Sequence, residues 1–345
     1  MTFAKTGVAL AAVEPSPIPP NTRFRDRHRI GVSYPSNLRN MQADFLPNLV
    51  SNLREPVAIS LARAIRRQAI LTPLHWQPIA TAIVRLRCGG TPILLLHGFD
   101  SSMLEFCRLL PLLAAQNETW AIDLLGFGFT DRMAGLSFAP PAIETHLYCC
   151  WKTLIDQPVI LVGASMGGAA AIDFTLSYPQ AVKKLVLINS MGYTGGFPLG
   201  KFLFPPLDFL AVEYWRQRKL QALTLGSISG WNPQQLEALR CVTLHMEMPG
   251  WHEATIAFTK SGGYSYLGNK IPQIDKPTLI LWGELDDTLG TEDALKFKRD
   301  IRHSQLVWIK NCGHVPHLEQ PQIVAQNILA FLGRSDRSGN APSSG

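Results

Sequence analysis

The stretch Val159-Ile160-Leu161-Val162-Gly163-Ala164-Ser165-Met166-Gly167-Gly168-Ala169-Ala170 passes from a β-branched apolar run, through Gly-x-Ser-x-Gly, into an Ala-rich segment of helical character. A serine at a sharp strand-to-helix turn is a nucleophile elbow: Gly163 and Gly167 let the neighbouring chain approach, and the hydroxyl stands clear of the sheet. Ser165 then lies at a helix N-terminus, where unpaired N–H groups and the helix dipole favour negative charge on a substrate oxygen. The same pentapeptide also suits a Gly-rich turn that merely packs a helix on a strand, so its context has to decide.

Three further segments supply that context. Pro92-Ile93-Leu94-Leu95-Leu96-His97-Gly98-Phe99 reads as a buried strand ending in His-Gly-Phe. Its loop places the Phe99 N–H to pair with the Met166 N–H as an oxyanion hole, while His97 reads as structural and not as the base. Pro277-Thr278-Leu279-Ile280-Leu281-Trp282-Gly283 is a second apolar strand, with Glu284, Asp286 and Asp287 just beyond it. Gln305 to Lys310 reads as the last strand, followed by Asn311-Cys312-Gly313-His314-Val315-Pro316-His317-Leu318-Glu319. Nucleophile, acid and base thus fall in the order Ser165, Asp286, His314, which is not the order of the chymotrypsin or subtilisin arrangements.

On these motifs the chain resembles the α/β-hydrolase superfamily from about Ala80 to Leu332. Trp120-Ala121-Ile122-Asp123-Leu124-Leu125-Gly126-Phe127-Gly128-Phe129-Thr130-Asp131 is similar to the family's Asp-x-x-Gly-x-Gly-x-Ser loop, with Thr130 where a serine is usual. The resemblance implies an α/β fold with a mostly parallel central sheet flanked by helices and a helical cap insertion. It implies Ser165 as nucleophile, His314 as base and Asp286 as the residue orienting it, with Asp287 the competitor. The family pattern Gly-His-x-Pro-His-x-Glu-x-Pro matches Gly313 to Pro321, which gives His317 and Glu319 a part in shaping the loop behind the base. A metal pair of His314 and His317 is disfavoured, because no third ligand cluster accompanies them and Pro316 interrupts helical spacing. No metal and no cofactor are expected.

Composition narrows the classes. At 345 residues, 46% apolar and 17% charged, the chain can bury a full core, and its length suits one large α/β domain with an insertion. No run approaches the roughly 18 apolar residues that span a bilayer. The net charge of +6 is unevenly placed: residues 1–90 hold twelve Lys/Arg against four Asp/Glu, and the rest twenty against twenty-two. No nucleic-acid-binding module accompanies the basic stretch, so no nucleic-acid partner is expected. The six cysteines are scattered without Cys-x-x-Cys spacing and read as reduced, mostly buried thiols.

The expected domain order begins with a mobile basic arm over 1–40, rich in proline and arginine. Its short apolar run Val8 to Val13 falls below a signal-peptide core, whereas an Arg-rich, acid-poor start is compatible with an organelle transit peptide. The expected place is the cytoplasm, peripheral to a membrane or otherwise. A helical extension over 41–79 follows, with Val57, Leu61, Ala64, Ile65 and Ala69 at helical spacing and Arg54, Arg63, Arg66 and Arg67 around them. That pattern over 45–71 fits either a basic amphipathic helix on an anionic membrane or a helix docked on the hydrolase body. The hydrolase core then covers 80–190 and 271–333, interrupted by a helical cap over 191–270, and 334–345 is expected to be a disordered tail.

The cap segment carries Phe197, Phe202, Phe204, Leu207, Phe209, Leu210, Tyr214, Trp215, Trp231 and Trp251. Because buried ligand surface is matched mainly by apolar lining, the expected substrate is a small hydrophobic ester, cleaved through an acyl-enzyme. The elbow leaves alternatives: carbon–carbon bond hydrolases and a menaquinone-pathway lyase share this triad, and some relatives are slow-turnover small-molecule receptors. The N-terminal extension together with Phe99 to Arg132 also resembles hydrolases of photosynthetic lineages, among them enzymes that remove phytol from chlorophyll-type pigments. Oligomeric state is not legible.

Overall fold

Parallel strands covered on both faces consist of nearly unbroken apolar runs, and four such runs form the middle of this molecule. The computed structural model describes residues 45–87 and 89–333; the arm over 1–40, Cys88 and the tail over 334–345 lie outside the described residues. Eight strands are formed among the described residues: β1 (Arg66–Thr72), β2 (His75–Leu86), β3 (Ile93–Leu96), β4 (Thr119–Ile122), β5 (Val159–Ala164), β6 (Val182–Ile188), β7 (Thr278–Gly283) and β8 (Ser304–Ile309). They make one sheet in the order β1-β2-β4-β3-β5-β6-β7-β8. Strand β2 pairs antiparallel with both β1 and β4, and every pairing from β4 to β8 is parallel.

Two-residue alternation divides the sheet's side chains between two cores. Leu94, Leu96, Leu161, Ile280 and Trp282 point to one layer, where they meet α3 (Pro140–Leu154), α4 (Met166–Ser177) and α8 (Glu292–Asp300) through residues such as Ile143, Phe174 and Phe297. Ile93, Leu95, Ile160, Val162 and Leu281 point to the other, against α1 (Pro56–Ala64), α2 (Leu109–Ala114) and α10 (Pro321–Gly333) through Leu61, Leu110 and Ile328. Between β6 and β7 the chain leaves the sheet and forms α5 (Leu207–Ile228), α6 (Pro233–Thr243) and α7 (Trp251–Lys260). The short α9 (Pro316–Glu319) follows β8 and leads into α10.

The N-terminal extension departs from the helix expected over 41–79. Of its described residues only Pro56–Ala64 are α-helical, and Arg66–Thr72 is the edge strand β1, paired from Arg66↔Ile83 to Ile70↔Ile79. The physical reason is that the residues after Ile65 alternate in burial with Ile70 fully covered, a period of two that a helix cannot satisfy. Val57 is exposed, while Leu61 and Ile65 of the expected apolar stripe are buried in the second core together with Ala58 and Ala62. Arg67 is equally committed: its guanidinium donates to the Phe129 carbonyl at 2.8 and 3.0 Å and pairs with Asp131 at 3.1 Å. Among the described residues no helix is long and apolar enough to cross a membrane.

Candidate active site

Ligand sites in open α/β sheets lie beyond the carboxyl ends of the strands, and here the loops leaving β3, β5, β6, β7 and β8 meet there. The elbow after β5 is as tight as its glycines imply. A Cβ on Gly163 would fall 2.2 Å from the Gly167 carbonyl oxygen, and one on Gly167 would fall 2.1 Å from that of Leu96. Ser165 itself has φ 50° and ψ −118°, a conformation that side-chain-bearing residues rarely hold. Met166 opens α4, so its N–H belongs to the helix's unpaired first turn. The loop after β3 passes beside it, and a Cβ on Gly98 would be 3.5 Å from that of Ser165.

The sequence-selected side chains are brought together in one hydrogen-bonded chain. Ser165 Oγ lies 3.1 Å from His314 Nε2, and His314 Nδ1 lies 3.0 and 3.1 Å from the two oxygens of Asp286. Asp286 is buried and held by the Thr288 and Leu289 N–H groups at 2.9 and 3.1 Å. Burial alone would raise its carboxyl, but the hydrogen bonds from His314 and Asn189 outweigh that and hold it down to about 2. Asp287 is exposed, and its carboxylate meets the Thr288 hydroxyl at 3.4 Å. Geometry therefore selects Asp286 as the partner of His314.

The loop carrying His314 is fixed from behind. Glu319 accepts the Gly313 N–H at 2.9 Å and the Val315 N–H at 3.2 Å. His317 turns away from His314 and places Nε2 3.3 Å from Glu105, whose Oε1 also accepts the Gly98 N–H at 3.0 Å. His97 is fully buried: Nδ1 donates to the Gly98 carbonyl at 2.8 Å and Nε2 accepts the Leu124 N–H at 3.1 Å. Both nitrogens are thereby occupied, and burial pushes the imidazole down to about 4, so His97 is a neutral structural link. Thr130 keeps the role of the serine it replaces, since its hydroxyl donates to the Asp123 carbonyl at 2.8 Å and accepts the Ala82 N–H at 3.0 Å.

Two residues at this edge went unselected in the sequence. Asn189, with φ 40°, follows β6; its amide donates to Asp286 at 2.7 Å while its carbonyl accepts the Gly283 N–H at 3.1 Å. The signal was a polar residue ending a buried strand that neighbours the acid's strand. Asp100, directly after Phe99, is 3% exposed and joins the cap to this loop. Its carboxylate accepts from Lys219 of α5 at 2.6 Å and from Trp251 of α7 at 2.8 Å, with His245 Nε2 at 3.3 Å. Burial would raise Asp100, yet Lys219 and His245 hold it far below the usual carboxylate range.

Above the edge, the Phe99 ring rests against Phe197, Trp215 and Phe258 at centroid distances of 5.0, 5.8 and 5.6 Å. Phe197 and Trp215 also line a cavity of about 340 Å3 within the cap, with Leu199, Leu203, Val212 and Ile256. Phe202 and Phe204 are not part of that lining and are 64% and 61% exposed, which sets these two rings apart from the apolar lining expected of the cap segment. Their neighbour Leu203 takes the inward position instead.

Comparison with known proteins places this geometry. The model of the family described as "Alpha/beta hydrolase family" matches residues 93–327. The α/β-hydrolase domain-containing protein VTE7 of Arabidopsis thaliana is 36% identical over 332 residues, covering 92% of this chain and 96% of that protein. The 2-hydroxy-6-oxo-6-(2'-aminophenyl)hexa-2,4-dienoic acid hydrolase of Metapseudomonas resinovorans is 26% identical over 249 residues, covering 71% of this chain and 85% of the other. Among solved structures, a thermophilic esterase from Thermogutta terrifontis superposes with a TM-score of 0.65 at 25% identity, covering 77% of this chain and 98% of that one.

Proposed function

This chain belongs to the α/β-hydrolase family, and on that premise we propose that it cleaves a hydrophobic carboxylic ester through a Ser165 acyl-enzyme. The observation that carries the proposal is the continuous chain from Ser165 Oγ through His314 to Asp286 beneath an apolar cap. His314 Nε2 takes the Ser165 proton as Oγ attacks the carbonyl carbon. Asp286 holds the imidazole with Nε2 toward the serine and stabilises the positive charge that it gains. The Phe99 and Met166 N–H groups receive the oxyanion, and His314 returns the proton to the departing alcohol. Water, deprotonated by His314, then releases the acid.

Support for a hydrophobic substrate comes from the cavity walls. The one cation among the described residues of their lining is not free to bind a carboxylate, since Lys260 is paired with Asp208 at 3.0 Å. The similarity to an Arabidopsis protein accords with the resemblance to hydrolases of photosynthetic lineages, and a long alcohol of phytyl type is the substrate class that resemblance adds. Relatives named as dienoate hydrolases favour a second reading, carbon–carbon bond cleavage on the same triad.

Labelling of Ser165 by a fluorophosphonate, followed by p-nitrophenyl esters of rising acyl length and by a phytyl ester, tests the proposal. Rising kcat/KM with chain length supports it. Turnover of a 2-hydroxy-6-oxo-dienoate with no ester turnover would transfer the assignment to the second reading. Stoichiometric ligand binding with turnover far below about 1 s⁻¹ would instead mark a receptor.

A further inference from the structure

Helix α5 carries its apolar residues on the wrong side for a helix that merely covers a core. Successive helical residues turn by about 100°, so Leu207, Leu210, Tyr214, Leu225 and Ile228 fall within an arc of about 60°, with Gln221 the polar residue between the two halves of the stripe. All five apolar members are exposed, between 49% and 78% accessible. The opposite side is the packed one: Val212 and Leu220 meet Met246 and Trp251. The loop entering the helix continues the pattern, with Leu199, Phe202 and Phe204 exposed.

The charges of this segment discriminate between occupants. Its acids are already partnered, Asp208 and Glu213 with the cations Lys260 and Arg216, and Glu213 also meets His252 Nε2 at 2.7 Å. Its exposed cations lie over aromatic rings, Lys201 over Phe202 at 5.1 Å and Arg218 over Tyr214 at 6.0 Å, and form no ion pair among the described residues. A second protein would bury those two charges, whereas at a bilayer long basic side chains rise to the headgroups while their apolar neighbours enter the acyl boundary. We infer that the outer face of α5, with the loop from Leu199 to Phe204, is a docking surface for an anionic lipid bilayer. The helix lies in the membrane plane along its length of about 33 Å. The inner side of the same segment, through Leu203, Ala211 and Trp215, lines the cap cavity, so surface and cavity share one wall. The docking surface does not depend on which bond is cleaved.

The test uses the full chain carrying Ser165→Ala, so that no lipid is consumed, floated with vesicles of phosphatidylcholine with and without phosphatidylglycerol. Leu210→Glu with Leu225→Glu should lower partitioning by roughly a hundredfold, since each leucine contributes about a factor of ten or more. Lys201→Glu with Arg218→Glu should remove the preference for phosphatidylglycerol and its salt dependence. These sites are exposed, so thermal melting should be unchanged; if the first pair proves misfolded, Leu225→Ser with Ile228→Ser is the replacement. Absence of vesicle binding by the parent chain overturns the inference. Binding unaffected by the stripe variants also does, because it would lie elsewhere in the chain. So does a dimer of the parent that dissociates in the Leu210/Leu225 variant, since the occupant would then be a second copy. Failure of the catalytic proposal is distinguishable, as it appears as unlabelled Ser165 in the unsubstituted chain while vesicle binding stays intact.

Discussion

In β5 every residue from Val159 to Ala164 is buried, whereas in the 22-residue α5 only Asp208, Val212 and Gly226 are. Both segments are rich in apolar side chains. A central strand of a parallel sheet has a helical layer on each side, so both of its faces lie in core. An inserted helix has one supporting side, and what covers the other is decided by partners outside the fold. The same division holds for polar groups. At the strand ends Asp286, Asn189, Glu105 and Glu319 each hold a backbone N–H or the acid beside them, whereas the cap meets this edge through Asp100 and through the Phe99 ring.

The comparison breaks most directly at Ser165. Ser165→Ala should reduce kcat for any ester by on the order of 10⁶, read by steady-state turnover. Retention of a tenth of the activity would remove the sheet edge from the chemistry. Asp286→Asn should cost roughly 10⁴ in kcat through a misaimed imidazole, while Asp287→Asn stays near the parent value. Because the folded Asp286 carboxyl is held at about 2, below the ordinary value of about 3.9, its stabilisation is present above about pH 4. It is lost as pH falls toward 2. Urea melts of the Asn variant should lack that part of the acid limb, worth about 2 kcal/mol.

Smaller effects sharpen the contrast between edge and cap. Asp100→Asn keeps the shape of the cap joint but loses its charge, and should lower stability by about 2 kcal/mol and kcat by up to about a hundredfold. Asn189→Ala leaves the Gly283 N–H without its partner and removes one of the donors to Asp286, costing about 1–3 kcal/mol in thermal melts. Along an acyl series, each buried methylene should raise kcat/KM by up to about fourfold, the equivalent of ~0.8 kcal/mol. A preference for acetyl over octanoyl esters would separate the cap cavity from the substrate.

Much of the candidate site was legible because its motifs are local. Each strand announces itself as an apolar run, and each site residue follows within a few positions of its end. Asn189 and Asp100 were not legible, since their roles depend on which strand lies alongside and where the cap comes to rest. Residues 66–72 were misread as helix because arginines at strand positions can imitate an amphipathic stripe, and only pairing with β2 decides between the two periods. A consequence concerns truncation: removing residues 1–72 takes away β1 together with buried Leu61, Ile65 and Ile70, and the remainder should fail to fold. In the cap, composition was legible but orientation was not. Leu203 and Phe204 are adjacent and chemically alike, yet one lines a cavity and the other meets solvent.

Arg108 has a bearing on how the molecule is made. Its guanidinium joins Glu55 at 2.6 and 2.9 Å, the Gln234 carbonyl at 2.6 Å and the Leu318 carbonyl at 2.7 Å, partners 53, 126 and 210 positions away. On the ribosome the first contact becomes available once Arg108 itself has emerged, the second only when α6 has emerged, and the third only when Leu318 has followed. The node therefore ties three widely separated stretches of the chain, and loop closure over such separations makes it a late event of folding. A nascent chain halted before Leu318 holds this arginine with one of its three tethers missing, so the arginine is fully held only once α9 has been made.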